Sequence, residues 1–309
     1  MWAVAAAAFA AGLVGFFIDR QAETNWAALP IELIFASVCL VGWWAAAWGY
    51  GVFWPPPRRE ERGVRIEAAA LGAGRLLLVC WLLGWFGWMN AQVAWAVLAV
   101  GWAATVAHML VHRRTLGEVQ LQLPGAPWPL ILAAAGVGAL AGAAAVAPGL
   151  LWQPWEAGGY DVLSYHLQLP REWRADGAIV GYEHNAYSYL PNLVEAGYLH
   201  LGHLQGGMHA AAIASQMLHA TFSVAAAWAV GQIAMTVARR ATADSIGAPL
   251  PGAGWLAAAA YLLTPWTLVT GSLAYNEQAM NLFGATALLL ALERGEGRRE
   301  INRAAACGA

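Results

Sequence analysis

The residues best suited to chemistry lie together in one short stretch, residues 160–173, "YDVLSYHLQLPREW". Asp161 and Tyr165 are four positions apart, so on a helix they share a face, and His166 lies one step round. Two glycines precede Asp161, so a turn can present it at the start of that helix, where the helix dipole keeps a carboxylate ionised. An ionised carboxylate in such a position is suited to general base catalysis, which makes Asp161 the candidate catalytic residue.

More polar and aromatic residues follow Asp161. Arg171 and Arg174 could meet a phosphate group, because guanidinium groups bind phosphate through paired hydrogen bonds. Residues 182–191, "YEHNAYSYLP", add an acid, a histidine and three tyrosines. This mixture of polar and aromatic groups is typical of a site for a sugar or a lipid head group.

A further acid, Glu277, lies at the start of the last long apolar run. A carboxylate within or beside a membrane span is costly, and it is a functional candidate for that reason. The candidate substrate- and donor-binding residues are Tyr165, His166, Arg171, Arg174, Glu183, His184, Tyr187 and Glu277. We expect no cofactor. A divalent metal ion bound by His166, His184 and Glu183 is a minor alternative, because the spacing of these residues matches no recognised metal-binding motif.

The composition is that of a helical membrane protein. Of the 309 residues, 60% are hydrophobic and only 11% are charged, whereas soluble domains have roughly 25% charged residues. Several of the 18 tryptophans stand at the ends of apolar runs, as in the aromatic belts of membrane proteins. The net charge of −2 gives no sign of nucleic-acid binding. The partner expected first is therefore the lipid bilayer.

The apolar runs predict an all-α polytopic membrane protein with about eight transmembrane helices and short juxtamembrane helices in one large outer loop. A span needs about 20 apolar residues. The uncharged stretch between Arg75 and Arg113 is too long for one crossing, so it is folded into a hairpin near residues 87–92. The candidate spans are 2–18, 30–54, 68–89, 91–111, 129–151, 210–237, 254–273 and 275–292.

The arginines predict the orientation. All 16 basic residues are arginine, and with a cytoplasmic N-terminus thirteen lie in inner segments, whereas only Arg20, Arg171 and Arg174 lie outside. Residues 1–151 then hold five spans, and residues 152–209 form an extracytoplasmic loop with the candidate catalytic residues. Residues 210–309 hold three spans and a cytoplasmic end that we expect to be truncated.

The plainest alternative is that the outer loop forms two amphipathic helices lying on the bilayer, as part of a non-catalytic scaffold. The buried side of the first would be Leu163, Leu167, Leu169 and Trp173, and that of the second Leu190, Leu193, Leu199 and Leu201. A scaffold, however, has no need to collect Asp161, His166, His184 and Glu277 on one side.

Residues 155–199 resemble the first large outer loop of GT-C-type integral membrane glycosyltransferases, in particular bacterial relatives of the protein O-mannosyltransferase and aminoarabinose transferase group. The shared features are an acid, a Tyr-His pair, a Leu-x-x-Pro step, a Gly-x-Ile stretch and a Tyr/Pro-rich segment that leads into an acidic helix. Residues 254–283 resemble the paired spans of that family, with a Tyr-x-acid at the outer turn. The resemblance covers about residues 155–293.

The resemblance implies an enzyme of the bacterial inner membrane. Such enzymes move a sugar from a polyprenyl-phosphate carrier to a hydroxyl of a protein, lipid or polysaccharide on the extracytoplasmic side, and the first-loop acid, here Asp161, is the base. Many relatives carry two adjacent acids at that place, whereas Val162 follows Asp161 here.

The other alternative is a transporter or flippase-like protein that handles a lipid-linked sugar without cleaving it. Transporters of this kind have broken helices at mid-membrane and a repeated half. Pro148 and Pro265 lie in or near spans, but no repeat is visible.

Overall fold

The computed structural model describes residues 29–52, 66–111, 160–242 and 252–307, and within these ranges no β-strand forms. A wide π-type turn, Val162–His166, precedes α4, and a 3-10 turn, Ala186–Tyr189, precedes α5. The helices are α1 (Leu29–Val52), α2 (Ile66–Trp85), α3 (Ala91–Val111), α4 (Gln168–Asp176), α5 (Leu193–Leu204), α6 (Met208–Thr242), α7 (Ala253–Leu262), α8 (Pro265–Gly271) and α9 (Glu277–Cys307).

Four of these helices are long and apolar enough to cross a membrane: Leu33–Val52, Ile66–Trp85, Ala91–Val111 and Met208–Ala241. They fall on the predicted spans 30–54, 68–89, 91–111 and 210–237. Ala253–Leu262 and Glu277–Leu292 are shorter apolar helices. The described residues thus support an all-helical membrane protein, whereas the predicted spans 2–18 and 129–151 lie outside them.

The predicted hairpin between the second and third of these spans is present. α2 ends at Trp85 and α3 begins at Ala91, and the Asn90 side chain accepts a hydrogen bond from the backbone amide of Val93 at 3.0 Å. Asn90 therefore satisfies one of the amides that the first turn of a helix leaves without a partner.

The predicted span 254–273 is not one helix. α7 ends at Leu262, and α8 begins at Pro265 after Thr264, whose backbone is extended (φ −61°, ψ 124°). Proline has no amide hydrogen, and its ring disfavours helical geometry in the residue before it, so the chain breaks at this step. The seven residues of α8 are too few to cross a membrane.

Small residues bring α1, α2 and α3 into close contact. A Cβ atom added to Gly72 of α2 would collide with the main chain of Ala47 in α1, and one added to Gly49 of α1 would collide with the main chain of Gly101 in α3. Glycine at these positions allows the helix backbones to touch, which is how membrane helices gain packing energy.

Residues 160–204 pack onto this bundle instead of lying apart from it. α4 buries Leu169 and Trp173 and exposes Arg171, as an amphipathic helix does. α5 is buried on every side, including Glu195 and Tyr198. The interpretation of α5 as a helix resting on the bilayer surface is therefore wrong, because its polar residues find partners inside the protein.

We expect Gly72→Ala to lower the melting temperature of the purified protein, because the added methyl group forces α1 and α2 apart at a cost of about 1–3 kcal/mol. Tryptophan fluorescence during heating in detergent measures the effect. Gly284→Ala is the matched control, since a Cβ on this α9 glycine meets nothing within 4 Å. Equal melting temperatures for the two variants would contradict the close α1–α2 contact.

Candidate functional site

Asp161 stands at the start of the wide turn Val162–His166. The backbone amide of Leu167 donates to the carbonyl oxygen of Val162 at 2.9 Å, five residues back, which widens the helix by one residue. Such turns occur mostly at functional sites. Here the turn brings the rings of Tyr165 and His166 to a centroid distance of 4.1 Å from each other.

Tyr165 lies near two carboxylates, those of Asp161 and Glu277. Partial burial raises the pKa of its phenol, and the negative charges of Asp161 and Glu277 raise it further. Asp161 and Glu277 are far apart in the sequence, yet both are close enough to act on the same hydroxyl. Tyr187 stacks on Tyr165: the centroids of the two rings are 4.0 Å apart, and the ring planes are inclined by only 12°.

A buried pair formed by His166 and Glu195 lies next to this tyrosine. The His166 Nδ1 atom is 2.6 Å from Glu195 Oε1, and each side chain is at most 2% exposed. Because a carboxylate is an acceptor, Nδ1 carries the proton and the other ring nitrogen of a neutral His166 is left as an acceptor. Glu195 thus fixes both the orientation and the tautomer of His166.

Asn276 connects the buried pair to Glu277. Its side-chain amide donates to Glu195 Oε1 at 3.2 Å, and its backbone amide donates to Glu277 Oε2 at 3.3 Å. The second oxygen of Glu195 is buried and hydrogen-bonds to no described residue. Glu195 is not among the residues predicted from the sequence, although an acid inside "LVEAGYLHLGHL" is a signal of the kind that identified Glu277.

The segment before α9 is held in place by α6. His219 of α6 donates through Nδ1 to the carbonyl oxygen of Leu273 at 2.7 Å, and its Nε2 accepts from the backbone amide of Gln278 at 3.1 Å. The Gln278 side chain in turn donates to Thr270 at 2.7 Å. These bonds fix the non-helical residues 272–276, and so they position Asn276 and Glu277.

Arg174 and His184, two of the predicted binding residues, contact partners outside the Asp161 site. Arg174 donates to the carbonyl oxygen of Gly206, between α5 and α6, at 3.0 Å. His184 is exposed and lies 3.3 Å from a carboxylate oxygen of Glu172 on α4. Arg171, also predicted for the site, has an exposed side chain.

The structure does not bring together the residues of the possible metal site. His166 faces Glu195, His184 faces Glu172, and Glu183 is exposed. In the part of the chain that the structure describes, no three His, Cys, Asp or Glu side chains are grouped so that they could hold a metal ion.

The site therefore combines two carboxylates, a stacked pair of phenols and an imidazole of fixed orientation. These groups can accept a proton and can offer a flat aromatic face with hydrogen-bonding groups around it. No family model, no curated protein and no solved structure matches this chain. The assignment of a function consequently depends on the geometry and on the sequence.

We expect Glu195→Ala to destabilise the protein by roughly 2–4 kcal/mol, because it leaves the buried polar groups of His166 and Asn276 without their acceptor. Glu183→Ala, which removes an exposed carboxylate of the same loop, should change stability by less than about 0.5 kcal/mol. Thermal or denaturant unfolding of the purified variants measures both. Similar stability of the two variants would mean that Glu195 does not hold the site together.

His200 anchors α5, the helix that carries Glu195. Its Nε2 atom donates to the carbonyl oxygen of Ala94 at 3.0 Å, and burial lowers its pKa to about 4, against the opposing effect of this hydrogen bond. An unfolded histidine has a pKa of about 6.5. Between these values the unfolded chain binds more protons than the folded protein, so stability falls as the pH decreases from about 6.5 toward 4.

We therefore expect the melting temperature to fall between pH 7 and pH 5, and to fall less in His200→Gln, which keeps a donor for Ala94 but does not titrate. Tryptophan fluorescence at a series of pH values measures the difference. His209→Gln is the control, because this histidine is exposed. An unchanged pH dependence in His200→Gln would contradict the assignment.

Proposed function

We propose that this chain is a GT-C-type membrane glycosyltransferase that moves a sugar from a polyprenyl-phosphate donor to an acceptor hydroxyl on the extracytoplasmic side of a bacterial inner membrane. The observation that carries the proposal is the convergence of Asp161 and Glu277 on Tyr165, which is stacked on Tyr187. A carboxylate is suited to activate a hydroxyl, and aromatic faces are suited to hold a sugar ring. The acceptor class is a protein, lipid or polysaccharide.

Asp161 is the base of the proposed reaction. It takes the proton of the acceptor hydroxyl while that oxygen forms a bond to the anomeric carbon of the sugar. The bond between the anomeric carbon and the phosphate oxygen breaks, and polyprenyl phosphate leaves with the electron pair. Arg171, exposed on α4, can approach the leaving phosphate and stabilise its charge.

Glu277 and His166 have supporting roles. Glu277 is the first residue of α9, and its carboxylate oxygens can accept hydrogen bonds from sugar hydroxyls. His166, oriented by Glu195, lies beside Tyr165 and can orient that phenol toward the substrate.

Two observations support the proposed orientation of the chain in the membrane. One is the distribution of the arginines between the two sides, and the other is the end of the helix bundle at which the site lies. The backbone amide of Ile179 donates to the carbonyl oxygen of Gly84, at the end of α2, at 2.9 Å. The candidate loop therefore packs where α2 ends and α3 begins. With a cytoplasmic N-terminus, this end faces away from the cytoplasm, where a donor must arrive on lipid because nucleotide sugars are absent there.

One observation favours a second candidate, a transporter of lipid-linked sugars that leaves the sugar–phosphate bond intact. The break between α7 and α8 at Thr264–Pro265 gives a discontinuous helix in the segment that leads to Asn276 and Glu277, and discontinuous helices form the binding sites of many transporters. The two functions differ in whether polyprenyl phosphate is released.

We expect Asp161→Asn to reduce release of polyprenyl phosphate by about 10²–10⁴-fold, because asparagine keeps the shape of the side chain and removes the base. The chain is reconstituted in liposomes with polyprenyl-phosphate-linked pentoses and hexoses, and the released lipid is measured by mass spectrometry. Asp176→Asn, which neutralises an exposed carboxylate outside the candidate binding residues, should keep the rate. A retained rate in Asp161→Asn would overturn the assignment of the base, and movement of uncleaved donor between leaflets would indicate the transporter.

A further inference from the structure

A second cleft lies beside the candidate site, between the end of α2 and the segment that leads into α5. Its volume is about 460 Å³, within the range of small-molecule sites. Trp81 and Trp85 form one wall, and residues 179–181 together with Tyr189 form the other. None of the residues proposed for sugar transfer lines it.

The cleft offers aromatic faces and hydrogen-bonding groups at the same time. The Trp81 and Trp85 rings are 5.1 Å apart, and Trp85 and Tyr189 are 57% and 68% exposed. Among the hydrogen bonds of the described residues, none uses the backbone amides of Val180 or Gly181. These amides are consequently available to a ligand in the cleft.

The walls of the cleft are fixed before any ligand binds. The amide of Ile179 donates to the carbonyl oxygen of Gly84 in α2 at 2.9 Å, and Trp173 of α4 donates through Nε1 to the carbonyl oxygen of Val180 at 2.9 Å. The ring of Tyr189 lies directly against Gly181, where a Cβ atom would collide with it. A preformed cleft binds a ligand without the cost of ordering a loop.

One short turn separates this cleft from the two carboxylates. In the 3-10 turn Ala186–Tyr189, Tyr187 stacks on Tyr165, whereas Tyr189 lines the cleft. Asn185 ties the turn to the segment that carries Asp161, because its side chain donates to the carbonyl oxygen of Ser164 at 3.0 Å. A molecule bound in the cleft would therefore lie next to the proposed reaction centre.

We propose that this cleft is a carbohydrate-binding site that takes one pyranose ring of the acceptor. The apolar C–H face of a pyranose packs on indole and phenol rings, and its hydroxyl groups match the amides of residues 180 and 181 and the hydroxyl of Tyr189. The role as acceptor subsite rests on the proposed transferase function, but carbohydrate binding does not. The ring can belong to a soluble glycan or to the head group of a glycolipid.

Saturation-transfer NMR tests the proposal on the whole chain in phospholipid nanodiscs, because sugar-headed detergents would compete. The probes are methyl β-D-glucopyranoside and methyl α-D-mannopyranoside, with irradiation of the aromatic protons of the protein. We expect transfer to at least one glycoside, with roughly tenfold weaker binding in Trp85→Ala, the loss that corresponds to one aromatic contact of about 1.4 kcal/mol. Trp88→Ala is the matched control, since Trp88 is 62% exposed, stacks on Phe86 in the same row of rings and does not line the cleft.

A second arm distinguishes the source of the ring. Nanodiscs that contain glucosyl diacylglycerol should reduce the signal of the soluble glycoside if the ring arrives on a lipid, and should leave it unchanged if the acceptor glycan is soluble. The absence of transfer to both glycosides, or equal binding by Trp85→Ala and Trp88→Ala, would overturn the proposal. Asp161→Asn should bind the glycosides normally, so a failure of the proposed transferase function is separable from a failure of this site.

Discussion

Glu195 is a carboxylate in the first turn of a helix that the protein buries on every side, and the site is arranged around it. At 1% exposure it has little contact with water, so hydrogen bonds from protein groups must replace hydration. His166 and Asn276 both supply them to Oε1, one from the turn before α4 and one from the segment before α9. A single buried acceptor thereby ties together the two parts of the chain that carry Asp161 and Glu277.

The close packing of α1, α2 and α3 sets the surface on which α5 rests. Because glycines let these helix backbones touch, the C-terminal half of α2 and the first turn of α3 form a firm base for α5. Gly197 of α5 packs against Leu77 of α2, and His200 of α5 donates to the carbonyl oxygen of Ala94 in α3. The polar network of the site is therefore held in position by apolar contacts below it, while the hydrogen bonds from His166 and Asn276 offset the cost of burying Glu195.

Hydropathy and local rules account for the parts of the fold that depend on short stretches of sequence. The apolar runs located the four long helices and the hairpin at Asn90, and the four-residue spacing of Asp161 and Tyr165 indicated that the carboxylate and the phenol are neighbours. The break at Pro265 follows from the same rules, but hydropathy outweighed it and a single span was predicted. Hydropathy averaged over a window of residues does not register that one residue, Thr264, leaves the helical conformation.

The partners of the buried and surface polar groups could not be predicted in this way. His166 and Glu195 are 29 positions apart, and Glu195 and Asn276 are 81 apart, so their contacts exist only after α5 is inserted between the helices. Composition also grouped His184 with His166, whereas the chain directs His184 outward to Glu172. Which of two histidines in a polar loop is buried depends on the packing of distant helices, and this information is absent from local spacing.

The 3-10 turn Ala186–Tyr189 links two regions of residues 160–204 that offer aromatic faces: the Tyr165–Tyr187 stack and the cleft lined by Tyr189. A 3-10 turn has three residues per turn, so side chains two positions apart point in different directions, and Tyr187 can stack on Tyr165 while Tyr189 lines the neighbouring cleft. The turn is held by Asn185, which accepts from the amide of Tyr187 and donates to Ser164. A displacement of this turn would therefore alter both regions at once. In the proposed transferase, which must bring two substrates together, such a shared wall sets the distance between them by backbone geometry and not by flexible side chains.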